Sequence, residues 1–226
     1  MRAPTIRQGR SHDCETQIRL HPNLTSHEYG PVKQLYFPLS ALLLSTMHLL
    51  AEPSAETAKF LAAAAAQIGK TLTYDPAYTS LAYPGGDVPI ERGVCSDVAI
   101  RAFRAVEFDL QKEIHDDMAR AFSAYPKNWG LRKPDANIDH RRVLNLMTFF
   151  KRRGKSVPVT QNAADYQPGD LVTCIVPKNL PHIMIVSDQV SPLDPTRRLI
   201  IHNIGAGAQA EDRLFEFEST GHFRWW

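Results

Sequence analysis

From Ser54 onward the apolar positions fall first at helical and later at strand spacing. Ser54 has the character of an N-cap, Glu56 lies in the first turn, an alanine-rich body runs through Ala66, and Gly69 marks a stop. Val98, Ala102 and Val106, with Ala99 and Phe103 beside them, define one face of a second helix that begins at or just before Cys95. The spacing predicts two more helices. One covers 111–122; the other, capped by Asn137, covers 138–153, with Val143, Met147 and Phe150 on one face and Gly154 at its end. The runs Tyr74-Asp-Pro-Ala-Tyr78 and Tyr83-Pro-Gly-Gly-Asp87-Val-Pro89 are punctuated too heavily for regular structure. After Pro158, alternation predicts strands over 171–176, 182–187, 199–204 and 214–218, the last with Phe215 and Phe217 set against Glu216 and Glu218. Helices that lead and strands that follow predict an α+β domain with a mostly antiparallel sheet.

Residues 1–31 show neither period and are expected to be a disordered extension or a mis-assigned start. The stretch 34–51 contains no Asp, Glu, Lys or Arg, is centred on the apolar run Leu39 to Leu50, and ends in small residues, which is the grammar of a secretory signal. Translation from Val32 would give that signal a short basic start at Lys33. The expected division is therefore a signal peptide over 32–55 and a single domain over 56–226, exported to the bacterial periplasm. A buried or membrane-anchoring helix over 37–50 competes with this reading, but Pro38, Ser40, Ser45, Thr46 and His48 make it a poor span.

Composition narrows the function. With 226 residues, 43% of them hydrophobic, the chain can build one well-buried core. Its 26 basic and 24 acidic residues nearly cancel, which argues against a dedicated nucleic-acid binder. Three cysteines, Cys14, Cys95 and Cys174, are too few and too scattered for a disulfide scaffold. A metal site built from Cys95, Cys174, His182 and His202 lacks any Cys-x-x-Cys or His-x-x-x-His spacing, so neither metal nor cofactor is expected.

Cys95 is the chemical candidate. At a helix N-terminus a cysteine meets unpaired backbone N–H groups and the positive end of the dipole, which favour the thiolate; the competing reading is a small buried core residue. His182 opens an apolar strand just after a loop and could take the thiol proton and later protonate a leaving amine, or could be an ordinary strand-end histidine. A third group should orient that imidazole, and the next strand offers His202 and Asn203. Neighbouring strand residues face opposite ways, so only one of the two can reach His182, and either remains open. Tyr83, Asp87 and Ser96 flank the nucleophile and are expected to line a substrate groove. Asp97 is suited to local capping or pairing, and Arg101, Arg141 and Arg142 to a solvated helix face or to substrate carboxylates.

Seven ordered blocks carry a family resemblance: Tyr74-Asp-Pro-Ala-Tyr, Tyr83-Pro-Gly-Gly-Asp-Val-Pro, Gly93-Val-Cys-Ser-Asp-Val, Asn137-Ile-Asp-His-Arg-Arg-Val, Gln167-Pro-Gly-Asp-Leu-Val, Leu180-Pro-His-Ile and His202-Asn-Ile-Gly. Together they resemble the domain-of-unknown-function family 1287, from about residue 57 to the C-terminus. More distantly, a Cys at a helix start, then Pro168-Gly-Asp-Leu-Val, His182-Ile-Met-Ile-Val and Ile201-His202, is similar to NlpC-type papain-like cell-wall peptidases and amidases. Here Val94 precedes the cysteine and Ser96-Asp97 follows it, so the Asp-Cys-Ser-Gly-like signature is only partly kept. The resemblance implies a papain-like α+β domain and a monomeric cysteine hydrolase acting on peptidoglycan stem peptides, with no nucleic acid and no membrane span in the mature form. It implies Cys95 as nucleophile, His182 as base and His202 as the third residue, with Asn203 in competition. A non-catalytic cell-wall or partner-binding module, or a cysteine acyltransferase, is the alternative.

Overall fold

The computed structural model describes residues 53–226. The expectations for 1–31, and for 32–55 up to residue 52, lie outside the described residues. The described part is an α+β unit with helices α1 (Ala55–Ala65), α2 (Cys95–Ala105), α3 (Leu110–Ala121) and α4 (Val143–Arg152). Its strands are β1 (Thr73–Tyr74), β2 (Arg92–Gly93), β3 (Ser156–Val157), β4 (Leu171–Val176), β5 (Leu180–Val190), β6 (Arg198–Asn203), β7 (Ala208–Glu211) and β8 (Glu218–Phe223). The last six form one antiparallel sheet in the order β3-β8-β4-β5-β6-β7. Among the described residues no helix is long and apolar enough to cross a membrane.

Helix starts follow the local chemistry. Ser54 Oγ accepts from the Thr57 N–H at 3.1 Å and caps α1, and Asp109 does the same for the Gln111 N–H at 3.2 Å ahead of α3. At α2 the cap comes from inside the helix: the Val94 N–H donates to Asp97 Oδ2 at 2.7 Å. Gly93 makes room for this return, because a Cβ there would lie 2.9 Å from the same carboxylate oxygen.

Three expectations are corrected. The helix predicted over 138–153 begins only at Val143, after a 3₁₀ turn at Asp139–Arg141. Asn137 does not cap it, since its side-chain oxygen accepts from the Leu81 N–H at 2.8 Å and ties a distant loop instead. The strand predicted over 214–218 is a turn: Arg213 forks onto the Glu216 carboxylate, the Glu216 N–H returns to the Arg213 carbonyl at 3.2 Å, and β8 starts at Glu218. Phe215 and Phe217 pack against the sheet from that turn. The punctuated segment after α1 is not wholly irregular either. Parallel pairing of β1 with β2 closes its base, with the Asp75 N–H donating to the Gly93 carbonyl at 3.0 Å two residues before Cys95.

Alternation divides the sheet into two buried faces. Leu171, Ile183, Ile185, Ile201 and Phe223 pack under the helices with Phe60, Phe103, Leu146 and Phe150. Val172, Cys174, Met184, Val186 and Ile200 face the other way, onto Tyr166 and Leu214. Burial on both faces explains why β4 to β6 read as nearly continuous apolar runs. The ends of β5 and β6 that carry His182 and Asn203 lie against the start of α2.

Candidate active site

Cys95 is the first residue of α2 and sits at the base of a crevice of about 180 Å³, lined also by Tyr74, Val94, Trp129, Arg141 and Pro181. The space is that of a side chain rather than of a whole cofactor. The backbone N–H groups of Ile183, Ser96 and Cys95 itself lie near enough to the Cys95 sulfur to favour its thiolate, and the Tyr74 hydroxyl lies against it. Burial, reinforced by the Asp97 charge, nevertheless pushes the thiol up to about 11, and burial also raises Tyr74 to about 12. The expected thiolate preference is thus corrected. The helix terminus does supply N–H donors, but desolvation outweighs them and the resting group is a thiol.

Arg141 gives this end of α2 its rigidity. Its Nε donates to Asp97 Oδ1 and its Nη2 to Asp97 Oδ2, both at 2.9 Å. Further bonds run from its Nη1 to the Ala77 carbonyl at 3.2 Å and from its Nη2 to the Asp75 carbonyl at 3.3 Å. Both side chains of the pair are nearly inaccessible, at 2% and 3% exposure, so Arg141 occupies no solvated helix face. Ser96 Oγ donates to the Arg141 carbonyl at 2.7 Å and fastens the 3₁₀ turn to the helix. Asp97, two residues past the cysteine, is spent on Arg141 and the Val94 N–H.

The histidines form a second arrangement. His182 Nε2 lies 2.8 Å from His202 Nδ1, and His202 Nε2 lies 2.7 Å from Glu211 Oε2. Burial lowers His182 to about 3 with help from the neighbouring His202 ring and Arg213, and burial lowers His202 against the opposing pull of Glu211. Both rings rest uncharged. His182 shares its sheet face with Met184 and Val186 and lies opposite Cys174, a core thiol that burial raises to about 12. Its neighbour Ile183 belongs to the cluster that holds Cys95 and supplies an N–H that lies near the sulfur. The Cys95 sulfur therefore lies against the backbone of the residue next to His182 on β5, while the His182 side chain lies on the other face of the strand from Ile183. Among the described residues the side-chain hydrogen bonds join His182 to His202 and not to Cys95.

The competition on β6 is settled geometrically: His202 reaches His182, and Asn203 does not. Asn203 turns to the helix side, where its Nδ2 donates to the Gly93 carbonyl at 3.0 Å and to the Thr73 carbonyl at 3.4 Å. It clamps β6 to β1 and β2, just ahead of Cys95. The three residues expected to line a groove are not brought to the crevice. Tyr83 is 44% exposed and donates to Asp116 at 3.2 Å, Asp87 pairs with Arg101 at 2.9 Å, and Ser96 is buried. Tyr83 and Asp87 answer to partners on α3 and α2, outside the crevice, and Ser96 to the backbone carbonyl of Arg141 in the 3₁₀ turn.

Sequence reasoning missed Tyr74, Trp129, Arg141 and Glu211 as members of the site. Tyr74 stood in the punctuated run and Arg141 in a marked block, so both were visible without a position. Glu211 carried no local signal. Register brings it in: it pairs with Ile200 across β6 and β7, which sets it on the face of His202 and diagonal to it. No group of three or more His, Cys, Asp or Glu among the described residues is arranged to hold a metal ion.

The comparisons with known proteins agree in extent with this unit. An Escherichia coli (strain K12) protein described as "Uncharacterized protein YijF" is 57% identical over 159 residues, covering 70% of this chain and 77% of its own length. No solved structure matches. The model of the domain of unknown function DUF1287 matches residues 61–225, and the chain belongs to that family.

Proposed function

We propose that this protein is an exported cysteine hydrolase that cleaves an amide bond, with peptidoglycan stem peptides as the substrate class and a papain-like, NlpC-type arrangement of its site. The observation that carries this reading is the engagement of His182 through Nε2 by His202, which leaves Nδ1 as the ring's remaining nitrogen, one residue from the N–H that lies near the Cys95 sulfur. In the proposed reaction the Cys95 S–H bond breaks as His182 Nδ1 takes the proton, and the sulfur adds to the amide carbonyl. The imidazolium returns that proton to the leaving amine as the C–N bond breaks and a thioester remains. Water, deprotonated by the same nitrogen, then releases the acid and restores the thiol. The backbone N–H of Cys95 supports the oxyanion. The neutral resting pair suits a site in which substrate entry expels the last solvent and charge separates only during reaction.

The test is mass spectrometry of purified peptidoglycan fragments incubated with the chain from residue 53 onward, beside Cys95→Ala. New amide-cleavage products absent from the variant are expected, and their masses name the bond. Fragments unchanged by either protein overturn the cell-wall assignment. One observation favours a second reading: a thiol raised to about 11 under a crevice of about 180 Å³ suits recognition of a single side chain, and binding without cleavage would select that module.

A further inference from the structure

From the closed end of the histidine chain we infer that Glu211 is a positioning residue, which fixes the proton order of His202 and His182 so that His182 keeps a lone pair on Nδ1. An ionised carboxylate only accepts hydrogen bonds, so His202 Nε2, 2.7 Å from Glu211 Oε2, must carry a proton. A neutral imidazole carries one proton, so His202 Nδ1 is then an acceptor. The contact of 2.8 Å between that atom and His182 Nε2 requires the His182 proton on Nε2. His182 Nδ1 is left unprotonated, the state a general base needs. The opposite order would set a lone pair of His202 Nε2 against the carboxylate, or would require a charged ring in a place where both rings are buried to 2% exposure or less.

Glu211 itself is held from outside. Arg213 approaches the same carboxylate oxygen at 3.5 Å and also forks onto Glu216, while the Glu211 side chain keeps 30% exposure. The charged and titratable groups facing the two rings are thus Glu211, Arg213 and Glu216 from the β7 end and its following turn, with Cys174 across β4 from His182. The turn that replaces the predicted strand over 214–218 is what brings Arg213 and Glu216 to this place. It anchors the carboxylate that faces inward.

The proton order can be read without any substrate, by long-range proton–nitrogen NMR of the ring nitrogens in the ¹⁵N-histidine-labelled protein, assigned with His182→Gln and His202→Gln. In the wild type both rings are expected to carry their proton on Nε2, and Glu211→Gln, which retains an acceptor, is expected to keep that order. Glu211→Leu removes the acceptor and is expected to move a substantial part of both rings to the Nδ1–H form. A wild-type His182 protonated on Nδ1 overturns the inference, and so does a Glu211→Leu protein whose rings keep the wild-type order. If the Leu variant does not fold, the wild-type spectrum decides alone.

The catalytic consequence rests on the hydrolase reading. There Glu211→Leu is expected to lower kcat by about 10- to 100-fold with KM little changed, to shift the acid limb of the pH profile, and to be largely rescued in Glu211→Gln. The predicted proton order in a protein that cleaves nothing would refute the hydrolase and leave the role of Glu211 standing.

Discussion

Two buried polar arrangements meet at the start of α2, and they differ in whether they are closed. Asp97 and Arg141 satisfy one another and the backbone: both carboxylate oxygens and four guanidinium hydrogen bonds are assigned to fixed partners. Both Asp97 oxygens are filled, and of the five Arg141 N–H groups only one, on Nη1, is unassigned among the described residues. The chain from Glu211 through His202 to His182 is satisfied at its outer end and ends on an uncommitted imidazole nitrogen at its inner one. The first is a brace of opposite charges, and the second carries its charge only at the outer carboxylate, with two neutral rings and one lone pair to give. Burial alone does not separate structural from chemical groups; the count of unfilled hydrogen-bonding positions does.

The comparison breaks first at His182. Its replacement by Gln, which keeps a donor toward His202, is expected to lower amide cleavage by about 10²–10⁴-fold while the urea unfolding midpoint at pH 7 moves little. Equal losses of stability and activity would make the histidine part of the brace rather than of the chemistry. At Arg141 the order of effects reverses. Arg141→Leu strands the Asp97 charge in a dry site and is expected to cost about 3–5 kcal/mol of stability by urea unfolding. Replacing both partners with leucine is expected to return most of that loss, because the penalty comes from the orphaned charge.

The smallest expected effect is on acid stability. Burial lowers His182 and the equally buried His140 to about 3 in the folded protein, so between that value and the ordinary histidine range the unfolded chain binds more protons. Stability is therefore complete above about pH 6.5 and is lost as pH falls toward 3. Between pH 7 and pH 5 the loss is expected to be about 1–2 kcal/mol for each ring, and His182→Gln is expected to reduce it. An unfolding midpoint that stays level across that range would show His182 to be protonated, and the open end of the chain to be charged.

Local pattern carried much of the fold. The cap at Ser54, the start of α2 at Cys95 and the limits of β4 stand where the sequence predicts them, because each depends on neighbours within a turn or a pleat. The helix predicted from residue 138 and the strand predicted over 214–218 failed for different reasons, one a long-range contact and the other a local turn. Asn137 answers to Leu81, far away in the chain, whereas Arg213 curls onto Glu216 three residues on and closes a turn that alternation alone does not reveal. Of the site, Cys95, His182 and His202 were visible as a nucleophile type at a helix start and imidazoles on successive strands. Choosing between His202 and Asn203 required the pleat direction, and Glu211 required the β6–β7 register.

By itself the sequence determined the α+β order, the family and the residue types available for chemistry, since periodicity, caps and ordered motifs are written along the chain. The tertiary structure alone decided protonation and orientation. It buried Cys95 deeply enough to hold it as a thiol, turned Arg141 inward onto Asp97, and set Glu211 behind His202. Those outcomes depend on desolvation and on contacts between residues far apart in the chain, and neither quantity has a local signature in sequence.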